Sequence, residues 1–193
     1  MALDKYEVWV GAPDQTTTGA ILSNVKITEA PSSIDDALSG FKDSGYISDE
    51  GLQISTNKKF EEIRDWSLSV IRKILSEYSN ELKWTTISQN EQSWKNFAGD
   101  ANVQAVKAST GHGNQLNIKL NANEPLRKSW AFKIKDGERR ILIFVPDGQA
   151  QGDDSLEFKA NSPVGLPVLL TTFPDSAGNH IYIYLDDGEV VSS

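Results

Sequence analysis

Cysteine is absent from the 193 residues. That excludes a disulfide framework, a thiol nucleophile and any thiolate zinc site, and it fits a reducing compartment. Histidine is scarce: His112 sits in the polar loop STGHGNQ with no second ligand at helical or hairpin spacing, and His180 opens a strand after a turn. Neither reads as a metal ligand or a catalytic base. No window approaches the roughly 18 apolar residues that span a membrane as a helix. The start MALDKYEVWV has neither the basic opening nor the apolar core of a signal peptide. TGHGN lacks the Lys-Ser/Thr of a phosphate loop, and GDD (152–154) and DDG (186–188) lack the alternating oxygens of a calcium loop. There is no Gly-x-Ser-x-Gly and no carboxylate pair that stands out for hydrolysis. The residues point to no enzyme, no metal and no cofactor.

Acid is in excess. Asp and Glu number 27 against 19 Lys and Arg, for a net charge of −8. Such a surface keeps a chain soluble and repels nucleic acid, which argues against tight DNA or RNA binding. If many copies lined a channel, the same charge would let a polyanion slide past without sticking. The apolar fraction is 38%. That suits either a polar monomer or a subunit whose apolar surface is completed by neighbours. The five tryptophans, Trp9, Trp66, Trp84, Trp94 and Trp130, mostly fall in apolar alternation, which reads as core or interface before sugar platform.

Period-two patterning is clearest in the second half. Trp130, Phe132 and Ile134 alternate up to Asp136-Gly137, a tight-turn signal, and Ile141, Ile143 and Val145 share one face of the return strand. Leu142 and Phe144 make its other face apolar, so that strand lies centrally or between layers. GLPVLLTTF (165–173) and HIYIYLDDG (180–188) read as further strands in meander order, and QLNIKLNA (115–122) as another. AILSNVKIT (20–28) is a strand and SSIDDALSGF (32–41) a short helix. NEQSWKNFAG (90–99) is a short helix capped by Asn90. Between Phe60 and Tyr78 the residues Phe60, Ile63, Val70, Ile71, Ile74, Leu75 and Tyr78 form a helical stripe, so periodicity alone favours a helix there. ELKWTTIS (81–88) alternates like a strand.

The segment ALSGFKDSGYISDEGLQIS (37–55) resembles the start of major tail tube proteins of long-tailed, siphovirus-type bacteriophages. Phe41, Gly45, Tyr46, Ile47, Ser48, Glu50 and Gly51 match the family's signature, and Ile63, Trp66, Val70, Ile71, Arg72, Glu77 and Thr85 match the region after it. RRILIFVPDGQ and the closing portion to Gly188 are similar to the family's end, while 101–123 matches poorly.

The resemblance implies a mainly β fold, a sandwich or half-barrel with one short flanking helix. It implies hexameric rings in which sheets join into one barrel around a channel, stacked into a tube. Residues 60–88 then become tube-wall strands, with turns near Ser67-Leu68-Ser69 and Ser79-Asn80. Ile63, Trp66, Val70, Arg72 and Trp84 are the candidate wall residues, and the acidic members of these strands are expected to face the channel. Gly45, Tyr46, Ile47, Ser48, Glu50 and Gly51 are the candidate ring-stacking loop, expected to order only on assembly. Residues 1–36 would be an arm with the first strand, and 37–193 the β-domain. The implied role is structural: a virion tail subunit, assembled in the host bacterial cytoplasm. Its partners are itself, a tape-measure protein, distal tail and tail terminator proteins, and DNA in non-specific transit, with no membrane. Two other readings are a tube subunit of a contractile injection or type VI-like secretion device, and a carbohydrate-binding β-sandwich.

Overall fold

Val, Ile, Thr and aromatic residues dominate the alternating segments, and they fit a pleated surface. The computed structural model describes residues 8–14, 19–26 and 29–189. Its strands are β1 (Ala12–Pro13), β2 (Ile21–Val25), β3 (Lys42–Asp43), β4 (Gln53–Arg64), β5 (Val70–Thr86) and β6 (Val103–Val106). They continue with β7 (Gln115–Ile118), β8 (Arg127–Asp136), β9 (Arg139–Gly152), β10 (Leu166–Thr172) and β11 (Tyr182–Asp186). One α-helix, α1 (Glu91–Ala98), flanks them. Among the described residues strand accounts for 48% and helix for 6%, so the fold is mainly β, with antiparallel sheets and one α-helix as expected.

The main sheet runs β3-β2-β8-β9-β10-β5-β4, and β6-β7 form a separate hairpin. β9 changes partner along one edge: Arg140–Phe144 pair with β11 and Gly148–Gly152 with β10. The changeover falls at Pro146-Asp147. Proline has no N–H to continue the ladder, and a register shift between Lys128 and Trp130 lies opposite. Such an irregularity bends a strand. The Asp147 side chain at this corner is 1% exposed. It accepts two bonds from the Arg127 guanidinium, at 2.7 and 2.6 Å, and one from Lys26. The Arg127 guanidinium lies 3.8 Å from the centre of the Phe173 ring.

The sheet closes on itself. After β3, Ser44 N–H donates to Ile21 (3.0 Å), Ser48 N–H to Thr85 (2.8 Å), and Ile87 N–H to Tyr46 (2.9 Å). The chain thereby crosses from the β2 side to the end of β5. Gly45 permits the crossing. Its φ is +82°, and a Cβ there would stand 2.4 Å from Ser88 Oγ, the atom that accepts Tyr46 N–H at 2.8 Å. Inside, Trp84 lies 5.6 Å from Trp130 and 5.5 Å from Phe132, centre to centre. Leu82, Val145, Val168 and Leu170 complete this core. Both buried indoles are satisfied: Trp130 donates to Gly148 O and Trp84 to Thr86 Oγ1, each at 3.1 Å. The outer face of β8 and β9, with Ala131, Leu142 and Phe144, is covered by Ile34, Leu38, Phe41, Tyr182 and Tyr184. The two-sided apolar pattern of β9 therefore reflects two packed layers.

Asn90 caps α1 by accepting Ser93 N–H at 2.7 Å. The helix is tied to the closing segment: Ser93 Oγ donates to Ser44 O (2.7 Å) and Asn96 to Ser44 Oγ (2.8 Å). Lys128 is buried against Asp100 at 2.6 Å. Burial pushes its ammonium below the usual lysine range, and Asp100 opposes that shift.

Several expectations are corrected. Residues 32–41 form turns, not a helix. Asp36 accepts the Ser32 and Ser33 hydroxyls and amides, side-chain bonds that compete with helical ones. The helix that periodicity favoured from Phe60 to Tyr78 does not form: as the resemblance implied, the stretch is two paired strands joined by a turn at 65–69, because pairing with a partner overrides a modest helical pattern. No turn forms at Ser79-Asn80: β5 runs straight through, and Asn80 is buried. The β8–β9 turn residues are Gly137-Glu138, with Asp136 paired to Arg139. Gly137 has φ +63°, as a turn with glycine at its first central position needs. β11 does not extend the meander but returns to β9, leaving Ile183 and Leu185 exposed and turning both tyrosines inward. β7 ends at Ile118, and Leu120 is exposed.

Replacing Arg127 by Met should destabilise the fold by about 3 kcal/mol, because a buried carboxylate loses most of its charge-assisted bonds. Lys26→Met should cost less, since Lys26 gives Asp147 one bond and Arg127 gives it two. Urea unfolding monitored by tryptophan emission measures both.

Candidate assembly surface

β5 is divided between two environments. Asn80 to Thr86 alternate buried and half-buried positions, while Val70 to Ser79 are all exposed. Every residue of β4 is exposed as well. The two strands pair from Gln53↔Lys83 to Arg64↔Val70, with register shifts after Lys59 and Ile63. They therefore leave the barrel as a two-stranded hairpin exposed on both faces, touching the rest of the chain near its base, where the Tyr78 ring lies 4.9 Å from that of His180. At ~3.3 Å per residue, the twelve residues of β4 span about 40 Å.

Cross-strand partners share a face, which sorts the side chains. One face is polar, with Ser55, Asn57, Lys59, Glu61, Glu77, Glu81 and Arg72, interrupted by Ile63 and Ile74. Lys59 and Glu77 pair on it at 2.9 Å. The other face carries Phe60, Leu75, Tyr78 and Val70, together with Lys58, Glu62, Arg64 and Lys73. Lys73 and Arg64 hold Glu62 at 3.1 and 2.5 Å and keep its carboxyl below the usual range, Lys73 foremost. The acidic residues do not gather on one face as the sequence suggested: Glu61 and Glu77 lie on the polar face, Glu62 opposite them, and Asp65 in the turn.

The backbone edges are open too. β4 is terminal in the sheet, and β5 meets β10 only from Glu81 onward. Above that point, among the described residues, β5 pairs with β4 alone. A long unpaired edge is a template for another strand.

The tip is built around Asp65. Its backbone exchanges hydrogen bonds with Ser69 O and Leu68 N–H, both at 3.0 Å. Its carboxylate accepts Ser67 Oγ at 2.7 Å and Ser69 N–H at 2.9 Å, and Arg64 reaches over to Leu68 O at 2.9 Å. Leu68 adopts φ +66°, the one left-handed non-glycine among the described residues. The ordered turn presents Trp66, fully exposed, and Leu68, 74% exposed.

The structure brings Ile63 and Arg72 together as a pair, puts Val70 on the opposite face, and sets Trp66 at the tip. Trp84 is not wall surface: at 3% exposure it belongs to the core, because β5 has entered the barrel by that point. Ile47 and Ser48 of the candidate loop are stitched to Thr86 and Thr85. Tyr46 and Glu50 of that loop are turned outward. Phe60 and Leu75 fall in the helical stripe of the sequence, which hides the strand face they share as a cross-strand pair. The signal for Asp65 is local: an Asp with Ser residues two and four positions on is a turn-forming pattern. His112 bonds Ser109 Oγ and Gly113 O, both at 2.8 Å, in an exposed loop. No cluster of three or more metal-ligating residues occurs among the described residues.

The antiparallel barrel thus projects a hairpin whose outer edges are open among the described residues and whose two faces are exposed. The family model for phage tail tube proteins matches residues 1–191, and the chain belongs to that family. Its role is structural, in the tail of a virion. Among solved structures, the anti-feeding prophage cap, a tube-terminating cap determined by cryo-electron microscopy, is similar at 12% identity. The similarity covers 96% of this chain and 100% of that one, with a TM-score of 0.47. No curated protein matches the chain.

Ser67 Oγ and the Ser69 amide hold the Asp65 carboxyl below the usual carboxylate range. A depressed folded value means that the order it confers is fully present above the unfolded pKa and is lost as pH falls through the folded one. The protection factor of the Ser69 amide, its exchange rate relative to an unstructured amide at the same pH, should therefore fall in acid, and Asp65→Ala should lower it at neutral pH without lowering global stability.

Proposed function

We propose that this chain is the wall subunit of a phage tail tube. Six copies close into a ring, and rings stack into a channel that holds the tape-measure protein during assembly and passes DNA during infection. Distal tail and terminator proteins cap the tube, and assembly takes place in the host cytoplasm. The observation that supports this best is the β4–β5 hairpin, whose two open edges and two exposed faces have no role in a monomer. A heterologous contact whose rotation closes makes a ring, and pairing each hairpin with its neighbour's removes the edges.

The polar face of the hairpin suits the channel. Its charges, Lys59, Arg72 and Lys83 against Glu61, Glu77 and Glu81, balance, so phosphates meet no net cationic surface to bind. The opposite face places Phe60, Leu75 and Tyr78 against neighbouring subunits, where burial is worth about 25 cal/mol per Å². A sugar platform is disfavoured, because Trp84 and Trp130 are buried and only Trp66 stands fully exposed.

Negative-stain microscopy of the purified protein at high concentration should show rings or tubes, and sedimentation should show a concentration-dependent shift to large species. A monomer at every concentration, with no tubes under crowding, would overturn the assignment. Phe60→Lys with Leu75→Glu should leave the monomer folded and abolish assembly.

A further inference from the structure

We propose that the hairpin tip is a plug for a second copy of this chain: Trp66 of one subunit enters the cavity at the mouth of another subunit's barrel. The inference rests on the tube reading and names the contact that stacks the subunits.

The plug is preformed. Asp65 orders the turn, and Leu68 accepts a left-handed backbone that costs a leucine energy. The result is a fully exposed indole beside an exposed leucine. Its own chain leaves the indole in solvent. Tryptophan at a rigid, protruding position is the residue type that anchors interfaces, since it buries a large area with few torsions to freeze.

The socket is a cavity of about 400 Å³ where β1, the 47–52 segment and β8 meet. Ile21, Ile47, Leu52, Phe132 and Ile134 give it apolar walls continuous with the barrel core. Its size lies within the roughly 300–1,000 Å³ of sites that take a ring-sized ligand. Ser48 also lines it, and Ser48 Oγ is the one buried side-chain polar atom without a hydrogen-bond partner among the described residues. A buried hydroxyl left unpaired is costly. The indole N–H is a donor that needs an acceptor once buried. Each group lacks what the other supplies.

Leu52, in the socket wall, immediately precedes β4, and Trp66 follows its far end. Plug and socket thus lie at opposite ends of one hairpin. In the stack proposed here the contact between them joins copies head to tail, whereas a two-fold pair exchanging both tips would stop at a cross-linked dimer and overturn the stacking role.

The chain has no cysteine, so a Leu52→Cys/Leu68→Cys variant is a direct probe. Under mild oxidation during assembly it should give a ladder of disulfide-linked oligomers, and neither single variant should. Trp66→Ala should raise the critical concentration for assembly at least about tenfold, with the monomer's thermal midpoint unchanged. Ser48→Ala and Trp66→Phe should each weaken assembly severalfold and be non-additive in combination. Were Ser48 still unpaired in the assembly, Ser48→Ala would be neutral or favourable instead. Tubes that form equally well with Trp66→Ala, or a double-cysteine variant that assembles without cross-links, would overturn the plug and leave the tube reading intact. A wild-type chain that never assembles would overturn both.

Discussion

One strand belongs to two structures, and the rest of the molecule follows from that. β5 enters the barrel at Asn80, and from there Leu82 and Trp84 pack the core against Trp130, Phe132 and Leu170. Before Asn80 its backbone pairs with β4 alone among the described residues. Strands do not bend freely where both edges are paired, so the direction in which β5 is clamped by β10 is the direction in which the hairpin leaves. The core thereby sets the aim of a surface about twelve residues away. Packing inside the barrel and contact outside it are mechanically one matter.

Closure of the barrel depends on backbone hydrogen bonds from a loop. The sheet would remain open between β3 and β5 without Tyr46, Ile47 and Ser48, whose backbone groups bridge to Thr85, Thr86 and Ile87. Gly45 makes the turn into that bridge, and α1 pins Ser44 just before it. The matched motif around Gly45 is therefore first of all a structural seam. Its outward residues, and the cavity that Ile47 and Ser48 help to line, lie beside the start of the hairpin. Seam and docking surface share residues.

The electrostatics of the projecting surface are local, not global. The chain is acidic overall, yet the hairpin pairs its charges: Lys59 with Glu77, and Glu62 with Lys73 and Arg64. Exposed pairs of this kind add little stability. They do remove the net field that would otherwise bind a polyanion or repel a like-charged neighbour.

Much of the barrel was legible in the residues. Alternation over 128–145, 166–172 and 182–186 located β8 to β11, the two-faced pattern of β9 announced its two packed layers, and Asn90 marked the start of α1. These are local signals, in which side-chain period and capping chemistry act within a few residues. The segment from Phe60 to Tyr78 was not legible in that way. Its apolar residues satisfy a helical stripe, and only pairing between β4 and β5, with two register shifts, makes it strand and sorts Phe60, Leu75 and Tyr78 onto one face. Nor did the sequence show that Ser79-Asn80 continues a strand, since turn-forming residues say nothing of burial. That Trp84 is core and Trp66 is tip, eighteen residues apart in one matched region, was decided by where β5 crosses the barrel wall. Period and composition determined which segments are strands able to pack. Long-range pairing alone determined which apolar residues the fold would use and which it would leave exposed.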